Sequence, residues 1–338
     1  MRKIGLSIVI LIVLSFTANT LAAQESNRGE DYTVYMDQVR QFNKIIGNGK
    51  PGPSLLTKDG VAASRKGMLS FMTPAVSIKP VVQKINGPYG DISLRVFRPD
   101  TIKAVVLDIH GGGWFQGIAA SDDAFNEQMA KNCKVAVVSV DYHLAPESPF
   151  PACINDCKAA AKWLVNNAQS SFGTSKIFIT GQSAGAHLSA LMAIYMRDSL
   201  HAIDMVKGVN LQYGCYDLSG SPSERQSTDS TLILTKKTLA ENFTLVFGAF
   251  TPEQLRQPEF SPLYANLKGL PPAFFIVGAS DPLLDDTNFM EARWRLAGNK
   301  TFLGVYPECP HGFNIFPTKL AANVNARMFK WIIGLIGE

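Results

Sequence analysis

From about residue 81 onward, short runs rich in β-branched and aromatic residues alternate with longer stretches of helical periodicity, and this alternation leaves few architectures open. Strands separated by helix-length segments do not pair as hairpins. They pair in parallel, with each helix crossing over one face of a shared sheet. The pattern predicts strands at 81–86, 92–98, 104–109, 135–140, 176–180, 206–212, 273–278 and 301–306. The first two precede Pro99 and turn through Gly87 to Gly90, so they read as an antiparallel hairpin. Helical segments at about 121–131, 152–167, 184–197, 286–297 and 318–335 are long enough for right-handed crossovers. The expected fold is therefore α/β, an eight-stranded and mostly parallel sheet flanked by helices.

Two stretches fit this alternation poorly. Residues 24–80 have mixed helical periodicity around 31–46 and then Gly- and Pro-rich text, and residues 217–262 separate two strands. In an open α/β sheet the chemistry sits at the carboxyl ends of the strands, so an insertion leaving such an end can cover the site. We expect a helical cap built from 24–80 and 217–262 on a catalytic domain spanning 81–338. Residues 1–23 have the layout of a signal peptide: Arg2 and Lys3, an apolar run from Ile4 to Phe16, and small residues at Ala22 and Ala23. The run is about 13 residues, short of the roughly 20 needed to cross a bilayer. The expectation is cleavage, no membrane span afterwards, and a secreted or periplasmic protein.

Composition excludes several classes. The formal charge of +4 falls to about +2 without Arg2 and Lys3, and the remaining Lys and Arg are scattered, which points to neither nucleic acid nor an anionic membrane surface. The five cysteines, at 133, 153, 157, 215 and 309, are too few for a disulfide-built scaffold, although export would permit one bridge. Cys153 and Cys157 lie one helical turn apart, but no second pair of ligands stands at zinc spacing. They read as buried small residues, and no metal or organic cofactor is expected.

The sharpest local signal is Gly181-Gln182-Ser183-Ala184-Gly185, set between the β-rich run Ile177–Thr180 and a helical pattern from Ala186. A strand-to-helix turn of this kind exposes its Ser in a strained conformation and needs Gly neighbours. His110-Gly111-Gly112-Gly113-Trp114 follows another predicted strand. Consecutive glycines let backbone N–H groups face a substrate oxygen, so Gly112, Gly113 and Ala184 are the candidate donors to an oxyanion. A phosphate cradle would want a Lys and a Ser or Thr that are absent here. Of the five histidines, only His311 lies in a loop after the last strand, where a base can swing over Ser183. Asp281 follows the strand at 273–278 and is the natural carboxylate to orient it, with Asp285 and Asp286 as competitors better placed to cap or support the next helix. The chain order Ser, Asp, His is that of α/β-hydrolases.

With these motifs the chain resembles the hormone-sensitive-lipase family of esterases, the HGGG-type branch of the α/β-hydrolase superfamily, over residues 81–338. Asp141-Tyr142-His143-Leu144-Ala145-Pro146-Glu147 resembles the family's DYRLAPE, Ser280–Asp286 resembles its DPLxDD, and Ser261-Pro262-Leu263 and Leu270–Ala273 also resemble family text. The resemblance implies a serine carboxylesterase acting on short acyl esters, with a cap formed by the N-terminal segment and a later insertion. Two residues depart from the family: Gln182 stands where Asp or Thr is usual, and His143 replaces an Arg. The first keeps hydrogen bonding without charge, and the second loses the guanidinium fork.

The expected partner is a small-molecule or carbohydrate-linked ester. An amidase or a deacetylase of acetylated sugars would use the same scaffold. A non-catalytic ligand-binding homologue would be expected to lack a member of the Ser183, Asp281, His311 set. Phe115, Phe243, Phe247 and Phe250 are candidate pocket aromatics that read first as core, and oligomeric state is left open by the sequence.

Overall fold

The computed structural model describes residues 24–27, 29–49, 52–69 and 76–337; the signal-peptide reading of residues 1–23 lies outside them. All eight expected strands form, with ends within two residues of those predicted. They are β2 (Val81–Gly87), β3 (Gly90–Phe97), β4 (Ala104–Ile109), β5 (Val135–Asp141), β6 (Ile177–Gln182), β7 (Val206–Gln212), β8 (Ala273–Gly278) and β9 (Thr301–Tyr306). A ninth, β1 (Gln24–Ser26), joins the edge, giving the order β1-β9-β8-β7-β6-β4-β5-β3-β2. The β2–β3 hairpin and the β3–β5 pair are antiparallel; every other pair is parallel.

Period-two alternation sorts the side chains of this sheet into two cores. Val105, Leu107 and Ile109 of β4 enter one apolar cluster, whereas Ala104 and Val106 enter the other. The first core is closed by helices α4 (Ala152–Phe172), α5 (Ala184–Asp198) and α7 (Leu284–Leu296). The second is closed by α3 (Asp123–Cys133) and α8 (Lys319–Gly337), with Met36 and Val39 of α1 (Thr33–Gly47). Cys153, Cys157, Ala160 and Ala161 give α4 a small-residue face against the sheet, and Gly173 ends it in the left-handed conformation (φ 74°) that a Cβ would strain. All five cysteines are free and buried. Among the described residues no helix is long and apolar enough to cross a membrane, and no group of His, Cys, Asp or Glu is arranged to hold a metal ion.

The N-terminal segment departs from its sequence reading in two places. Its first residues extend the sheet edge: the Asn27 side chain donates to Val305 O and accepts from Val305 N, continuing the ladder beyond β1. Further on, Lys58–Leu69 is a regular helix, α2, in text that Gly60 and Gly67 make look irregular. Gly60 is there for packing, because a Cβ would run into the carbonyl of Ser54. The later insertion carries one full helix, α6 (Lys236–Phe247), capped by Thr235, whose Oγ1 accepts from Thr238 N.

Candidate active site

The helix after β4 lies on one face of the sheet and the helix after β6 on the other, so the loops leaving these adjacent strands diverge. Such a switch point opens a crevice at the strands' carboxyl ends. Both glycine-containing motifs lie there. Ser183 has φ 55° and ψ −122°, far from any relaxed region for a side-chain-bearing residue. The turn is tight enough that a Cβ on Gly181 would collide with the Gly185 backbone, and one on Gly185 with the Ile109 carbonyl. Ser183 N–H donates to Gln212 O at 2.9 Å, which ties the turn to β7.

The loop after β4 lies directly against this turn, since a Cβ on Gly111 would stand 2.8 Å from Gln182 O and 3.4 Å from Ser183 Cβ. Gly112 and Gly113 both have positive φ, 116° and 58°. Ala184 is the first residue of α5, so its N–H has no acceptor within its own helix. Trp114, at φ 61°, is held in the left-handed region by two bonds: its O accepts from Ala145 N, and its Nε1–H donates to His187 Nδ1 at 3.2 Å.

The structure brings Ser183, Asp281 and His311 together from three strand ends. His311 Nε2 lies 2.9 Å from Ser183 Oγ, and His311 Nδ1 lies 2.9 Å from Asp281 Oδ2. The carboxylate accepts from Nδ1–H, which leaves Nε2 to accept from the serine hydroxyl. Asp281 Oδ1 accepts from Leu283 N, and both Asp281 and His311 are buried. This arrangement can move a proton from Ser183 to His311 while a buried carboxylate holds the ring.

The competitors have other partners. Asp285 accepts from Ser223 N, and Asp286 Oδ1 accepts from Tyr216 N and Asp217 N, so both anchor the start of the 217–262 insertion. Burial pushes the Asp286 carboxyl up to about 7. His110 is stacked on Tyr142, donates from Nδ1 to Gly111 O, and is lowered to about 4 by burial. His187 accepts from Trp114 and donates from Nε2 to Phe260 O at 2.6 Å; burial lowers it to about 4 as well. It is a neutral clamp joining the glycine loop, α5 and the end of the insertion.

The two family departures have local answers. Gln182 accepts from Tyr213 OH at 2.9 Å and donates to Asp122 Oδ1 at 2.6 Å, while the Tyr213 ring packs edge-on against His311, 4.8 Å between centroids. Burial raises the Asp122 carboxyl well above its usual range, with Asp108 and Asp123 adding to it, so an amide at 182 spares the site another carboxylate there. His143 meets Asp156, its Nδ1–H and its backbone N–H both donating to Oδ2, at 2.6 and 2.8 Å. The fork is gone, yet the buried carboxylate keeps two donors.

Several contributors were not found by reading motifs. Tyr213 directly follows β7, so the strand-end rule that found Asp281 could have found it too. Arg65 of α2 donates to Phe115 O and Ala145 O and forms a bidentate pair with Glu147, and Ser64 donates to Gln116. These bonds clamp α2 onto the glycine loop across 50 to 82 residues of chain, and no local signal announces them. From the insertion, Glu241 of α6 accepts from Ser54 Oγ and Leu55 N, and Asn242 abuts Gly113. Phe243 and Phe247 pack edge-on with Trp114, and Phe247 and Phe250 pack edge-on with Phe150.

A family model described as alpha/beta hydrolase fold matches residues 106–315, the span that holds every one of these strand-end residues. The carboxylic ester hydrolase LipN of Mycobacterium tuberculosis is 31% identical over 275 residues, 78% of this chain and 73% of the relative. The carboxylesterase NlhH of the same organism is 32% identical over 284 residues, 79% of this chain and 86% of the relative. Among solved structures, an esterase of Pyrobaculum calidifontis superposes with a TM-score of 0.77 at 29% identity, covering 87% of this chain and 98% of that one. With the HGGGW loop and the GQSAG turn lying against each other at the switch point of this sheet, the chain belongs to the α/β-hydrolase family, in its hormone-sensitive-lipase branch.

Proposed function

We propose that this protein is a serine carboxylesterase that hydrolyses short-chain acyl esters through an acyl-enzyme on Ser183. The observation that carries the reading is the unbroken chain from Ser183 Oγ to His311 to Asp281, 2.9 Å at each link, beside a loop of positive-φ glycines. Ser183 Oγ attacks the ester carbonyl carbon as its proton passes to His311 Nε2. The carbonyl π pair moves onto oxygen, where the N–H groups of Gly112, Gly113 and Ala184 receive it. Collapse expels the alcohol, which takes the proton from His311, and leaves the acyl group on Oγ. A water then repeats the sequence, losing its proton to His311, and collapse releases the acid and returns the proton to Ser183. Asp281 stays ionised throughout and stabilises the transient imidazolium.

The names of the two mycobacterial relatives support an ester as the bond cleaved. The interlocked aromatics Trp114, Phe150, Phe243 and Phe247 support a short acyl group, because they fill the space beside the glycine loop. In this reading α2 and the 217–262 insertion form a cap over the site, and residues 1–23 direct export to the periplasm or medium before cleavage near Ala23.

The test is hydrolysis of a p-nitrophenyl ester series from acetate to decanoate by the purified protein, with Ser183→Ala alongside. We expect turnover confined to the short chains and a loss of about 10⁶ in kcat for the variant. Undiminished turnover by Ser183→Ala would remove the serine mechanism; a folded wild type inert on the whole p-nitrophenyl series would shift the reading to acetylated sugars or amides. Amino-terminal sequencing of the exported protein checks the cleavage site.

A further inference from the structure

Position 242 breaks the pattern of its helix. The buried side of α6 is Leu239, Asn242, Val246 and Phe247, an apolar stripe at helical spacing with one amide in it. Asn242 is only 7% exposed, and its Oδ1 is fully enclosed without a hydrogen-bond partner. Its Nδ2 is the atom next to the glycine loop, 2.6 Å from where a Cβ on Gly113 would stand, and no acceptor engages it among the described residues. The Phe115 ring meets the same Gly113 position, 3.2 Å from it, and an aromatic ring accepts no conventional hydrogen bond. A leucine there would fill the same space without leaving polar groups unpaired, so the amide costs stability where it stands. Each such group in a native structure calls for an explanation, and a role in the site's chemistry is one; here Nδ2, unlike the enclosed Oδ1, stays open to a ligand.

We infer that Asn242 is a substrate-binding residue of the ester site, and that the preferred esters carry an acceptor oxygen, such as a hydroxyl, within a few bonds of the scissile carbonyl. The inference rests on the esterase reading above and deepens it. An ester whose carbonyl oxygen sits over Gly112 and Gly113 brings its nearest substituents to the Nδ2–H of Asn242. A hydroxyl there accepts that donor; a plain alkyl group buries it unpaired. Sites built to hydrogen-bond a substrate group discriminate strongly against the analogue that lacks it, because the desolvated protein donor then has no partner. The oxygen belongs either to the alcohol, as in a partly acylated polyol, or to the acyl group, as in a 2-hydroxy acid ester; the chemistry recognised is the same.

Two matched pairs separate these sources: glycerol 1-monoacetate against propyl acetate, and ethyl lactate against ethyl propionate. For the wild-type protein, kcat/KM should favour the hydroxylated member of one pair by at least about tenfold. In Asn242→Leu that ratio should fall to near one, and in Asn242→Asp, which keeps the volume but removes the donor, it should fall likewise. Thr244→Ala, on the exposed side of the same helix, should leave the ratio at its wild-type value. If Asn242→Leu fails to fold, the Asp variant alone decides. An unchanged ratio in the variants, or no preference in the wild type, overturns the inference while leaving the esterase intact. A loss that is equal for both members of each pair overturns it too, since the amide would then serve the oxyanion or the packing. No hydrolysis of any ester by the wild type would instead overturn the reading on which it rests.

Discussion

The sheet end that carries Ser183 and the helices tethered to its glycine loop are held by different physics. Around the serine, backbone meets backbone: Gly181 against Gly185, Gly185 against Ile109, and Gly278 against Cys309, each too close to admit a Cβ. Beside it, α2 and α6 are attached through side chains: Arg65 and Ser64 on the glycine loop, Glu241 on residues 54 and 55, and Phe243 and Phe247 against Trp114. The exposed apolar side chains Leu56, Leu69 and Ile233 lie in this second region. Close-packed backbone has no room to adjust, so the first region is rigid and intolerant of one added methyl group. Side-chain tethers can be exchanged one at a time, which lets the walls of the site vary while the reacting groups stay fixed.

The sharpest way to break this contrast is within the first region. Asp281→Asn should lower kcat by about 10⁴ with the fold retained, because the wrong ring tautomer of His311 would be favoured; a drop under tenfold would mean that Asp281 does not orient the base. Gly185→Ala should cost about 4 kcal/mol or more, read from urea denaturation, since the new methyl has to displace the Ile109 carbonyl. A change below about 1 kcal/mol would show that the turn can relax and that the two regions do not differ as described.

In the second region the expected effects are smaller. Arg65→Ala should lower kcat/KM about tenfold by loosening the glycine loop, at a stability cost of about 1–2 kcal/mol. Arg65→Lys should restore little, because one ammonium cannot serve Glu147, Phe115 O and Ala145 O together. Full recovery by lysine would reduce the clamp to a point charge.

The smallest effect concerns the root of the insertion. Burial, then Asp286 and Asp217, push the Glu224 carboxyl up to about 8, and burial pushes Asp286 up to about 7. The folded protein therefore keeps protons that the unfolded chain, with ordinary carboxyl values of 4.5 and 3.8, releases by about pH 5. Between pH 5 and 8 the folded state binds more protons, and stability falls as pH rises. Glu224→Gln should flatten that fall, raising Tm at pH 8 relative to pH 5.5 by about 2–4 °C against wild type. An unaltered pH slope would show that this carboxyl does not take up the proton.

The difference between the regions is also a difference in legibility. Strand positions were readable because a buried strand must be apolar on both faces, and β4, β5, β6 and β8 are almost wholly buried along their lengths. The positions of Ser183, Asp281 and His311 were readable because each lies in the segment that leaves the carboxyl end of a strand, and the glycines because their spacing answers a local steric demand. Helix α2 was hidden by Gly60, a residue chosen for a contact with Ser54 and against helix propensity. Strand β1 was hidden because three residues carry no period, and its pairing is completed by the amide of Asn27.

The sequence by itself determined the alternating architecture, the strand-end chemistry and the family, since all three depend on patterns a few residues long that local sterics and burial enforce. Only the tertiary structure decided what surrounds that chemistry: that Gln182 bridges Tyr213 and Asp122, that His187 joins three segments, and that Asn242 reaches Gly113. Those contacts join residues that are 31 to 129 positions apart, and no local pattern records which distant side chain the packing of helices will bring into reach.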